Sequence, residues 1–295
     1  MGRQWRTLWL AVLMLTVATV ATVACTGTAT ASEARVVRLA VTDLQGLEEL
    51  QREFGAFKTQ IEQVTGFAVE FFPVPNRVAA TAALETDQVD LVFTGPAEYV
   101  VMRARTEVQP VVAVRRPGYH SCIYTSAGSG ITTLDQLAGQ KIGMSDVGST
   151  SGHLGPSQML LDAGIDPLSD LQVLTLGDAV HAALERGDIA AVGVGCHDFQ
   201  EYTGGDRDAF PILAEGPPLP PDVVIARPDL DPEVVERIRT GFEENWPALL
   251  RAMLEGQDNQ KYSDAELVIP TDSDYDVVRS MYEAIGVDDF TEFID

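Results

Sequence analysis

At 295 residues the chain has room for one large or two medium domains with a real hydrophobic core. Its 20 Lys and Arg against 44 Asp and Glu give a net charge of −24 at pH 7, and such a surface excludes nucleic acid as a partner. Small anions are also repelled at long range, but salt screens that field beyond about 10 Å, so local donor geometry decides whether one binds.

Arg3 and Arg6 precede an apolar run over 8–24 that gives way to small residues, the pattern of a secretory leader. Two processing sites compete. Thr22-Val23-Ala24-Cys25 looks like a lipobox, with Thr22 where Leu is usual, and Ala29-Thr30-Ala31 fits ordinary cleavage before Ser32. The lipoprotein reading makes 1–24 a signal peptide, Cys25 the lipidated residue and 25–34 a tether, with the protein periplasmic or held on the outer face of the cell membrane. Cys122 and Cys196 remain; a disulfide is possible, yet nothing in their spacing demands one, and two buried thiols are the preferred reading. The histidines and cysteines show no ligand spacing, so neither a metal nor a cofactor is expected.

From residue 35 the chain alternates strand and helix. A strand over 35–41 leads into a helix capped by Thr42 and Asp43, with Leu47, Leu50, Phe54, Phe57 and Ile61 on its apolar face and Gly66 at its end. A strand over 67–73 follows, and Asn76 caps a second helix. Residues 90–96 read as strand, turn and Pro at a helix start. Strands at 111–114, 121–124, 141–145, 171–176 and 189–194 alternate with helical stretches, and the last third is helical over 232–244, 246–254 and 275–285. Such alternation predicts mostly parallel sheets, with ligands at the carboxyl ends of strands.

The stretch 148–156, Gly-Ser-Thr-Ser-Gly-His-Leu-Gly-Pro, sits at one such end, where a strand hands over to a helix. Three hydroxyls and unpaired backbone N–H groups there can converge on one anion without a Lys or Arg. The same pattern also serves as a helix cap and tight turn with no ligand.

Four stretches in order resemble the phosphate/phosphite/phosphonate-type substrate-binding proteins of bacterial ABC transporters. They are Asp90-Leu91-Val92-Phe93-Thr94-Gly95-Pro96-Ala97-Glu98-Tyr99-Val100, the Leu134-Asp135-Gln136-Leu137-Ala138-Gly139-Gln140-Lys141-Ile142 lead-in, the hydroxyl loop, and Leu219-Pro220-Pro221-Asp222. The resemblance implies an α/β fold of two Rossmann-like lobes, 35–120 with 223–295 and 121–222, joined by two crossovers with the ligand cleft between them. It implies a monomer that captures a small anionic solute and delivers it to permease and ATPase subunits. Ser149, Thr150 and Ser151 would donate to the oxyanion, Tyr99 and Thr94 would face them from the other lobe, and Asp222, with no cationic neighbour, would accept a proton from the ligand. His197 and Asp198 at a strand end, and His181, are further candidates, although Tyr99 also suits a core and the other three suit solvated surface. Phe54 stands where relatives often have Tyr, and Gly177-Asp178 where they often have His.

Other readings remain at this level. The same fold can hold a sulfonate or a thiamine precursor, or serve a sensor. A serine hydrolase would use His153 or His197, but Thr150 occupies the nucleophile position of a Gly-x-Ser-x-Gly elbow.

Overall fold

The computed structural model describes residues 35–287 and 289, apart from 43, 45, 77 and 78. The leader, the Cys25 anchor and the tether therefore lie outside the described residues, as does the Asp43 cap.

The chain opens with β1 (Val36–Val41), α1 (Leu47–Thr65), β2 (Ala68–Phe71), α2 (Ala79–Glu85), β3 (Leu91–Thr94), α3 (Pro96–Thr106) and β4 (Gln109–Arg115). It continues through β5 (Ser121–Tyr124), β6 (Lys141–Met144), α4 (Gly155–Asp162), β7 (Gln172–Thr175), α5 (Val180–Glu185), β8 (Ala191–Gly195), α6 (Cys196–Thr203) and β9 (Ile212–Glu215). It closes with β10 (Asp222–Ala226), α7 (Pro232–Met253), β11 (Glu266–Val268) and α8 (Asp276–Glu283).

These strands form two sheets, ordered β11-β4-β10-β3-β1-β2 and β7-β6-β8-β5-β9. Each is mixed: β1 pairs in parallel with β2 and β3, and β6 with β7 and β8, whereas β10 runs antiparallel between β3 and β4 and β5 between β8 and β9. The chain passes from the first sheet to the second after β4 and returns after β9, so two segments cross between them. The expected α/β architecture with two crossovers is what the chain adopts.

Burial explains the layers. Leu50, Phe54, Phe57 and Ile61, spaced along one stripe of α1, meet Val234, Val235, Ile238 and Phe242 of α7 beneath the first sheet. Phe54 is almost fully buried there, edge-on to Phe57 and Phe93. The opposite face is covered by α2, α3 and α8, whose buried cluster also takes in Leu154 from the hydroxyl loop and Leu219 from the second crossover. The loop is thereby anchored in the core of the sheet it faces.

The helices expected over 232–244 and 246–254 are the two halves of α7, separated by a kink. Asn245 at φ −126° breaks its regularity, because Pro247 lacks the N–H that an unbroken helix needs. The short strands β9 and β11 are missing from the sequence reading.

Candidate functional site

The loop after β6 folds on itself before it reaches outward. Ser145 N–H donates to Gly152 O at 2.9 Å, and the N–H groups of His153 and Leu154 both donate to Ser149 O at 2.9 Å, so Thr150–Leu154 forms a π-helical turn that runs into α4. Such turns recur at functional sites. Gly152 is required, since a Cβ would overlap the Ser145 side chain. His153 is buried, its Nδ1 accepts the Gly148 N–H at 3.1 Å, and burial pushes its pKa down to about 4, so the ring is neutral with its other nitrogen protonated.

Ser149, Thr150 and Ser151 line a cleft of about 190 Å³ with Gly95 and Glu98 of the first sheet's side and Ser145, Asp146, Gly177, Asp178, His197, Asp198 and Tyr202 of the second's. Thr150 touches both sides: its Oγ1 accepts the Ala97 N–H, 3.0 Å away, in the first turn of α3. A helix N-terminus carries unpaired N–H groups, and one of them is met here by a hydroxyl from the facing sheet. Ser149 Oγ accepts the Gly152 N–H at 3.3 Å, which leaves its proton to point elsewhere.

Asp222 opens β10 at the floor of the cleft and is 2% exposed. The expectation that it lacks a cationic neighbour is wrong. Arg116, at the start of the first crossover, reaches its two oxygens at 3.0 and 2.9 Å, and Tyr262 Oη donates to Oδ2 at 2.8 Å. The guanidinium also lies over the Tyr119 ring, 3.6 Å from its centroid, and burial holds the Tyr119 phenol well above its usual pKa. A buried carboxylate survives by such pairing. Arg116 and Lys261 both line the cleft, so its donors are not all neutral; the carboxylates of Glu98, Asp146, Asp178, Asp198 and Asp222 share it with them.

Of the other expected residues, His197 and Asp198 do line the cleft, with His197 Nε2 2.9 Å from Asp198 Oδ1 and the Gly195 N–H donating to Asp198 Oδ2 at 3.2 Å. Tyr99 does not. Its Oη donates to Asp272 at 2.7 Å, its ring packs on Tyr275 in the core, and burial raises its pKa, so it is no donor to the cleft. Thr94 shares a hydrogen bond with Thr42 at 2.9 Å behind Gly95, which is the residue that lines the cleft. His181 sits behind the cleft wall, its ring against Phe210 and Tyr202 and its Nδ1 3.3 Å from Tyr124 Oη; Gly177 and Asp178 line the cleft instead.

Sequence reasoning missed Arg116, Tyr119 and Lys261. Arg116 carried a usable signal, since it directly follows a strand with an apolar centre; Lys261 falls in a short 3-10 turn with no apolar periodicity. Cys122 and Cys196 form a disulfide, against the preferred reading of two thiols, because β5 and β8 are neighbours that bring the two Cα atoms to 5.0 Å. His120 lies within 4.8 Å of both sulfurs, but sulfurs joined to each other are not the thiolates that bind metals.

The family model for the ABC transporter, phosphonate, periplasmic substrate-binding protein matches residues 40–263. The chain belongs to this family, whose members are substrate-binding proteins of transporters and lie outside the cytoplasm. It is 26% identical over 282 residues to the phosphate-import protein PhnD of Mycolicibacterium smegmatis, covering 85% of this chain and 86% of that one. Among solved structures it resembles XAC2383 from Xanthomonas citri bound to ATP, with a TM-score of 0.69, 18% identity and coverage of 86% and 98%. It also resembles PhnD1 from Prochlorococcus marinus in complex with methylphosphonate, with a TM-score of 0.65, 17% identity and coverage of 85% and 98%. At such identities the structural likeness is one of fold. No helix among the described residues is long and apolar enough to cross a membrane.

Proposed function

We propose that this protein captures a small phosphorus oxyanion (a phosphonate, phosphite or phosphate) and hands it to an ABC permease and its ATPase. The observation that carries this is the meeting of Ser149, Thr150 and Ser151 with Arg116 in one cleft of about 190 Å³. Hydroxyls in that setting direct O–H groups at oxyanion oxygens, and a partly neutralised guanidinium supplies positive potential without excess charge. The volume suits a solute of few heavy atoms and is below that of sites for drug-sized ligands, roughly 300–1,000 Å³.

The carboxylates refine the class. A hydrogen phosphonate or hydrogen phosphate keeps a P–OH that can donate to a carboxylate, and an amino-substituted phosphonate brings an ammonium. A sulfonate or sulfate group has no proton of its own to donate, so carboxylates facing it are repulsive. Binding without catalysis is supported by His153, which spends Nδ1 on the Gly148 N–H, and by Thr150, which accepts from Ala97.

We take 35–120 with 223–295 and 121–222 as lobes that close on the solute, and 1–24 as a leader that leaves Cys25 lipid-anchored, with the protein acting as a monomer. Isothermal titration with phosphate, phosphite, methylphosphonate, aminoethylphosphonate, sulfate and taurine tests the class. Heat from at least one phosphorus compound and none from sulfate is expected; binding confined to the sulfur compounds defeats the reading.

A further inference from the structure

The Cys122–Cys196 disulfide closes at a corner that the cleft uses from both sides. β5 pairs with β8 so that Ser121 faces Gly195 and Cys122 faces Val194, and the Cys196 N–H donates to His120 O at 2.9 Å. The bond thus ties the first residue of α6 to the strand that follows the first crossover. The next two residues of α6 are His197 and Asp198, both in the cleft wall. Gly195 itself backs the hydroxyl loop: a Cβ there would stand 2.9 Å from Ser151 Oγ and 2.6 Å from His197 Cε1.

Packing alone holds this corner lightly. α6 has eight residues and buries one side chain, Phe199. Its other hold is Tyr202 near the far end, stacked on His181 and donating to Asp178, whereas a covalent bond at the first residue fixes where the side chains just after it emerge. The disulfide also closes a long loop, its ends separated by 74 positions in sequence, and so constrains the unfolded chain; that role predicts a loss of stability and nothing about the cleft.

We propose that the Cys122–Cys196 disulfide is a positioning element of the solute cleft, holding His197, Asp198 and the backing of Ser151 in place, so that breaking it weakens solute binding in a protein that is still folded. The inference rests on the reading of the cleft as the solute site.

The test is titration of methylphosphonate and inorganic phosphate into the oxidised protein, the protein reduced by a dithiol, the reoxidised protein, and a Cys122→Ala/Cys196→Ala variant. Circular dichroism sets a temperature at which each is folded, and NMR follows the His197 ring signal. The proposal predicts binding about tenfold weaker, or ~1.4 kcal/mol, in the reduced and variant proteins, a displaced His197 signal in both, and recovery on reoxidation. Unchanged affinity and an unmoved His197 signal in folded, disulfide-free protein overturn it. If the alanine variant does not fold, Cys122→Val/Cys196→Ala, which refills part of the lost volume, is read against the same two results. No heat from the oxidised protein with either solute, nor with phosphite or aminoethylphosphonate, overturns the cleft reading itself, and this inference with it.

Discussion

Thr150 Oγ1 accepts the backbone N–H of Ala97 at 3.0 Å, joining the hydroxyl loop of one sheet to the first turn of the helix that faces it. Neither residue carries charge, yet the contact settles where the loop stands against the mouth of α3. Thr150→Val keeps the shape and removes the acceptor, leaving a buried N–H with no partner. The expected loss is about 1 kcal/mol of stability, in the range of other helix-cap deletions, together with weaker binding of the oxyanion. Urea denaturation beside calorimetric titration checks both; intact affinity in the variant would show that the threonine is a cap and nothing more.

Asp222 and Arg116 make a second prediction. Asp222→Asn leaves the guanidinium buried without its anion, and the expected cost is roughly 3–5 kcal/mol. Arg116→Met does the same to the carboxylate. The double substitution Asp222→Asn/Arg116→Met is expected to be less harmful than the sum of the two, because each single change strands a charge. Chemical denaturation of the four proteins measures the coupling.

His153 makes stability depend on pH. Its folded-state pKa is depressed, from 6.5 to about 4, so the folded protein refuses a proton that the unfolded chain accepts. Its contribution is whole above pH 6.5 and is lost as pH falls from there to about 4, by about 3 kcal/mol across that window. His153→Asn, which keeps an acceptor for Gly148, is expected to flatten this part of the profile. Thermal midpoints from pH 4 to 8 for both proteins decide it; parallel curves would exclude the histidine as the cause.

Gly195→Ala introduces a Cβ within 2.6 Å of His197 Cε1 and 2.9 Å of Ser151 Oγ. The His197 side chain and the Ser151 hydroxyl must then shift. Solute affinity is expected to fall severalfold with a small change in melting temperature, since the affected groups line the cleft. Titration and thermal melts measure the two effects separately.

The layers were legible because apolar spacing carries them. The stripe Leu50, Phe54, Phe57 and Ile61 forms the core side of α1, and the Gly-Pro turn before Ala97 opens α3 as expected. The place of the hydroxyl loop was legible because glycines and hydroxyls between an apolar strand and a helix mark a strand-to-helix turn. Tyr99 was misplaced for a reason of helix phase: three residues beyond Pro96 its side chain turns away from the cleft, toward Asp272 and Tyr275. Asp222 was placed in the cleft, but its partners Arg116 and Tyr262 come from stretches far away in sequence, 106 and 40 residues off, and no local pattern announces such a meeting. The disulfide was hidden in the same way, since it depends on β5 and β8 being neighbours in the sheet.

The account stands or falls on one comparison: calorimetric titration of methylphosphonate against methanesulfonate, which are alike in size but differ in whether a proton remains to be donated. The predicted result is saturable binding of methylphosphonate, strongly weakened by Ser151→Ala, and no measurable binding of methanesulfonate. Equal binding of the two, or methylphosphonate binding untouched by Ser151→Ala, would contradict it.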